Sequence, residues 1–161
     1  MRLITSLPAL LGALVLASAA SAAALPGALA DGGTVTPGKN VLVRPKQIVY
    51  TGDGTGFLAG PGTGGRHPKA GKLKWSSWTA SAAQGSGDDW INNCEPFCAA
   101  GRFTQHPVTI TLFRPRTTLG LRVFTRMRVH YTHGSDPLTR RSTATFTLDR
   151  TGKQLFWNIP R

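Results

Sequence analysis

Residues 121–131 place Leu121, Val123, Thr125, Met127, Val129 and Tyr131 at every second position, with Arg122, Phe124, Arg126, Arg128 and His130 between them. A helix would scatter those cations around its circumference, whereas a strand gathers them on one face. The run therefore predicts a half-buried strand with a basic-aromatic outer side. Upstream, Val108, Ile110 and Leu112 alternate with Thr109, Thr111 and Phe113, and Pro115 is expected to end that strand. Downstream, Ala144, Phe146 and Leu148 alternate with threonines. Thr151, Gly152 and Lys153 make a turn, and a terminal strand follows over 155–159. Gly134, Ser135, Asp136 and Pro137 supply the break between the long strand and this last pair. About six short strands with few helix signals define an all-β domain, a small antiparallel sandwich or partly open barrel with one short disulfide loop.

The preceding region is less regular. Residues 41–50 hold β-formers on both sides of Pro45 and read as an edge strand broken there, or as two short strands. The glycine-rich stretch 51–71 reads as a long irregular connection. Leu73, Trp75 and Trp78 begin the next ordered piece, with a bulge or turn expected near residues 76–78. The small residues of 80–87, three alanines among them, allow one short helical turn and predict a close-packed connection instead of a full helix.

Arg2, an apolar stretch over 3–17 and a tail of small residues follow the pattern of a secretory signal peptide. Pro8 and the small-residue tail argue against a retained membrane anchor, which needs about 20 predominantly apolar residues. Small-x-small cleavage sites fall after Ala22, Ala24 and Ala30. The expected division is a signal peptide over 1–30, a flexible lead-in and edge strand over 31–45, and one β-rich domain over 46–161. The expected product is secreted or associated with the cell wall. In that oxidising space Cys94 and Cys98 are expected to pair.

The chain of 161 residues carries 19 Lys and Arg against 7 Asp and Glu, a formal charge of +12. Between positions 96 and 135 there are arginines at 102, 114, 116, 122, 126 and 128 and no acid. Such a balance favours acidic partners. The candidate ligand-binding face is Arg122, Phe124, Arg126, Arg128 and His130, suited to an anionic lipid, an acidic cell-wall polymer or an acidic secreted protein. The alternative for the same residues is a solvated outer sheet face. No helix-turn-helix, zinc-finger or RNA-binding pattern is present, so specific nucleic-acid recognition is not expected.

Motifs for catalysis are sparse. His67, His106, His130 and His133 do not spell a zinc signature, and no metal or cofactor is expected. There is no nucleophile elbow or phosphate loop. Asp88, Asp89 and Glu95 could converge around the Cys-x3-Cys loop and serve a glycan hydrolase, which needs two carboxylates about 5 to 9 Å apart. Otherwise they form a solvated acidic rim.

Three segments carry a family resemblance: Ile48-Val-Tyr-x-Gly-Asp-Gly, Leu73-x-Trp-x-x-Trp78, and Asn93-Cys-Glu-Pro-Phe-Cys-Ala-Ala-Gly101 followed by Pro107-Val-Thr-Ile-Thr-Leu. Over residues 46–148 the chain resembles a group of small secreted actinobacterial proteins with no settled activity. The resemblance implies export, Cys94–Cys98 as a structural bridge, and Trp75, Trp78 and Trp90 as core supports. The functional expectation is an exported binding or cell-surface accessory domain. A cell-envelope hydrolase and a purely structural envelope protein stand as the alternatives.

Overall fold

The computed structural model describes residues 24–36, 38–137 and 140–159, so most of the expected signal peptide lies outside the described residues. It contains β1 (Ala28–Leu29), β2 (Gly33–Thr34), β3 (Val41–Leu42), β4 (Ile48–Val49), β5 (Gly56–Thr63), β6 (Lys69–Gly71), β7 (Lys74–Trp78), β8 (Ala82–Asn92), β9 (Phe103–Thr118), β10 (Leu121–Tyr131), β11 (Thr143–Thr151) and β12 (Gln154–Asn158). The fold is all-β. One antiparallel sheet runs in the order β2-β12-β11-β10-β9-β8-β5-β4, with β7 added beside β8 and β6 beside β5, and it curls into a near-closed half-barrel.

Its centre is the β8–β9–β10 meander. Val108, Ile110 and Leu112 on β9 and Met127, Val129 and Tyr131 on β10 are buried, as the period-two reading predicts. Leu119 and Gly120 both adopt positive φ, 50° and 75°, in the two-residue turn between Thr118 and Leu121. That backbone hand matches the twist of a tight hairpin. β9 continues past Pro115 to Thr118, because the β10 partner of Pro115 is Phe124 and the ladder resumes on either side of it.

Two segments expected to be irregular are strands. Residues 82–92 form β8, which pairs with β9 along its whole length. Its small residues make room for neighbours. A Cβ on Gly85 would lie 2.7 Å from the Trp75 ring, and one on Gly87 would lie 2.3 Å from the Ala59 carbonyl oxygen. The 51–71 region contains β5 and β6, with the β5–β6 register shifting between Gly60 and Gly62. The expected irregularity near residues 76–78 is a register shift between Trp75 and Ser77 in the β7–β8 pair.

The inner core gathers Leu29, Ile48, Leu58, Leu73, Trp78, Leu112, Phe124, Phe146, Leu155 and Trp157. A second, smaller cluster covers the outer side of the sheet at β5 and β8, where Phe57 and Trp90 stack with ring centroids 5.9 Å apart beside Ala59. Trp78 and Trp90 are buried and Trp75 is half-buried against the core. Their indole N–H groups donate to the carbonyls of Pro26, Gly60 and Pro45 for Trp78, Trp90 and Trp75 respectively. Burial of a large ring with its one donor satisfied is a packing role.

The segment 26–34 straps the half-barrel. Gly27 exchanges two 2.9 Å backbone hydrogen bonds with Arg122 and Phe124 on β10. Ala30 accepts from the Val49 amide of β4, β1 pairs with β3, and β2 pairs with β12. Ala28 and Leu29 are fully buried. Burying a leucine side chain stabilises a fold by about 1.5–3 kcal/mol. Residues 26–30, assigned by pattern to the signal peptide, thus form part of the core.

Candidate functional site

Past the β9–β10 hairpin end, the outer side of β9, β10 and β11 forms a ladder. Arg126 lies between Phe113 and Thr147, Arg128 between Thr111 and Thr145, and His130 between Thr109 and Thr143. Residues directly opposite in antiparallel strands share a face, so three rows of side chains stand together there. The Arg126 guanidinium donates to the Thr147 hydroxyl. Arg128 lies 5.2 Å from the centre of the Phe113 ring, a cation–π distance. The His130 Nδ1 and the Thr143 hydroxyl are 3.0 Å apart. These contacts hold the basic groups over the sheet.

Phe124 does not belong to this face. It is 0% exposed, with its ring 5.6 Å from that of Trp78. Strict alternation requires an unbroken pleat, and the pleat is interrupted here. Arg114 takes φ 52°, its carbonyl accepts from the Thr125 hydroxyl, and Gly27 pairs beside residues 122–124. Val123 and Phe124 are consequently both buried. Arg122, on the far side of that interruption, is exposed and donates to the Ala80 carbonyl at 3.1 Å. Of the five residues expected to form one surface, Arg126, Arg128 and His130 stand together.

The ladder leads into two hollows. One is lined by Ser76, Gln84, Ser86, Thr109 and Thr111. The other, of about 520 Å³, is lined by Lys74, Ser86, Asp88, Gln105, Thr109 and Thr132, with Pro61 and Pro107 on its walls. Ser86 and Thr109 belong to both, so hydroxyls continue from the basic ladder toward Asp88. The sequence offered no signal for these hollows, because they arise where β7 and the β5–β6 bend stand beside β8.

The three carboxylates expected to serve hydrolysis do not converge. Asp88 and Asp89 are neighbours on β8 and point to opposite faces. Asp88 lines the outer hollow at 5% exposed, and burial raises its pKa while His106 opposes that shift. Asp89 points into the half-barrel at 1% exposed. There it accepts hydrogen bonds from the hydroxyls of Tyr50 and Tyr131. Burial raises its pKa to about 6, the two phenol donors oppose the rise, and Asp136 adds to it. Glu95 is exposed in the disulfide loop beyond the end of β8. Among the described residues no group of His, Cys, Asp and Glu is arranged to hold a metal ion.

Cys94 and Cys98 form the disulfide. Asn92 and Asn93 hold the loop from below: Asn92 accepts from the Cys94 amide and donates to the Cys98 carbonyl, and Asn93 accepts from the Arg102 amide. A Cβ on Gly101 would lie 2.1 Å from the Asn92 side-chain oxygen, which explains glycine there. Among the described residues no helix is long and apolar enough to cross a membrane.

Comparison of the chain with protein-family models, with curated proteins and with solved structures returns no match.

Proposed function

We propose that this chain is an exported accessory domain that binds an acidic polysaccharide along the outer face of β9, β10 and β11. The observation that carries the reading is the row of Arg126, Arg128 and His130 with Thr109, Thr111, Thr143, Thr145 and Thr147 on either side. Alternate strand residues are about 6.6–6.8 Å apart, so the row presents basic groups along a line, as an extended polymer presents its charges. The threonines and the adjoining Ser86 and Gln84 supply donors and acceptors for sugar hydroxyls. A lipid surface is a poorer fit. The one large apolar side chain among these paired positions, Phe113, lies under Arg128 and leaves nothing to insert into acyl chains. The net charge of +12 adds long-range attraction that salt will screen.

The test is retention on dextran sulfate against neutral dextran, across a salt series, for the oxidised protein. Wild type is expected to bind dextran sulfate and to release as salt rises. The double variant Arg126→Ala/Arg128→Ala is expected to lose at least tenfold in affinity. Lys39→Ala/Lys153→Ala, which removes the same charge from exposed positions elsewhere, is expected to lose far less. Equal losses for the two double variants would mean that net charge alone does the binding, and the face would be abandoned.

A further inference from the structure

We infer that export processing removes the chain no further than the bond between Ala24 and Leu25, and that residues 26–30 stay in the mature protein as a core element. The inference rests on the export reading and fixes the site at which it acts. Small-x-small spacing alone allows a cut after Ala22, Ala24 or Ala30. The fold separates these choices.

Four groups of the domain depend on the disputed residues. The buried Trp78 indole donates to the Pro26 carbonyl at 2.9 Å, and the buried Trp157 indole donates to the Leu29 carbonyl at 3.0 Å. The amides of Phe124 and Val49 donate to the carbonyls of Gly27 and Ala30. A cut after Ala30 removes all four acceptors at once, and leaves buried N–H groups without partners. It also removes Ala28 and Leu29 from the core and takes from β3 its partner in the two-stranded sheet, β1. No surface loss is involved, since residues 26–30 are buried throughout.

The burial boundary lies just before Pro26. Ala24 and Leu25 are exposed, with Leu25 at 45%, and Pro26 is buried with its carbonyl engaged. Of the three small-x-small bonds, the one after Ala24 is therefore the last whose hydrolysis leaves every buried residue of the strap in the product. Ala24 has small Ala22 two positions before it, which completes the small-x-small pattern at this bond. The reaction is hydrolysis by a signal-removing peptidase. The carbonyl carbon of Ala24 takes the water oxygen and becomes a carboxyl, the C–N bond breaks, and Leu25 leaves with a free amine.

The experiment expresses the full chain in a secreting bacterial host and reads the intact mass and N-terminal sequence of the oxidised product recovered from the medium. A product beginning at Leu25 or at an earlier residue, melting cooperatively, is the expected result. A folded product beginning at Asp31 would overturn the inference while leaving export intact. Full-length chain retained in the cells with Met1 in place would overturn the export reading and the processing site with it.

Discussion

The Tyr50 hydroxyl donates a 2.7 Å hydrogen bond to Asp89 Oδ1, joining the end of β4 to the middle of β8 inside the half-barrel. Tyr131 donates to the other carboxylate oxygen from β10. Burial and the nearby carboxylate push both phenols well above their ordinary pKa, so they remain donors across the working pH range. Replacing Tyr50 by Phe removes one donor and leaves that carboxylate oxygen short of a partner. The expected cost is about 1–3 kcal/mol in urea unfolding at pH 7. A Tyr50→Phe protein as stable as wild type would show that the bond contributes nothing net.

Asp89 also predicts how stability depends on pH. Its folded pKa of about 6 lies above the ordinary 3.8, chiefly because burial disfavours the charged form. Between those values the unfolded chain has already lost the proton that the folded chain keeps. Stability from this group is thus fully present below about pH 4 and is lost as pH rises through 6. The gap between the two values corresponds to roughly 3 kcal/mol. Asp89→Asn should flatten the unfolding free energy between pH 4 and 7, with other carboxylates supplying a common background in both proteins. A wild-type profile that gains stability over that window relative to Asp89→Asn would contradict this direction.

The strands that alternate over many residues were legible in the sequence because their inner rows are apolar and their outer rows are threonine and arginine. β9, β10 and β11 follow that pattern, and so does the outward placement of Arg126, Arg128 and His130. β8 was hidden. Its inner positions 85 and 87 are glycines whose missing side chains are replaced by Trp75 and Leu73 reaching in from other segments. No local pattern reports that exchange. Phe124 misled for a related reason, since its burial depends on Trp78 and on residues 26–30, all distant in sequence. Those residues in turn resemble a signal-peptide tail because a tightly packed strap and a cleavable tail both favour small side chains.

Gly87 provides a direct test of that exchange. A methyl group there would meet the Ala59 carbonyl oxygen at 2.3 Å and Leu73 Cδ2 at 2.6 Å. The leucine can turn away, but the carbonyl belongs to the backbone of β5 and cannot move without disturbing the β5–β8 pair. Gly87→Ala is therefore expected to destabilise by about 1–3 kcal/mol despite its favourable loss of chain entropy. Substituting Gly134, which sits at φ 79° with open space around it, probes backbone conformation alone and should cost about 1 kcal/mol. If Gly87→Ala proves no worse than Gly134→Ala, close packing at Gly87 is not what requires glycine.

The disulfide should matter less than its prominence suggests. Cys94 and Cys98 are four residues apart, so the bond closes a very small loop. The chain-entropy model gives about 2 kcal/mol for a loop of that size, against about 4.7 for one of 100 residues. The same loop is held independently by the Asn92 bonds to the Cys94 amide and the Cys98 carbonyl, at 2.9 and 2.8 Å. Cys94→Ala/Cys98→Ala should accordingly lower stability by no more than about 2 kcal/mol and leave dextran sulfate binding unchanged, because the basic ladder lies on β10, away from the loop. Asn92→Ala in the cysteine-free background should then cost more than it does in wild type, since two restraints on one loop substitute for each other. Equal costs in the two backgrounds, measured by urea unfolding, would show that the bridge and the asparagine act on separate parts of the structure.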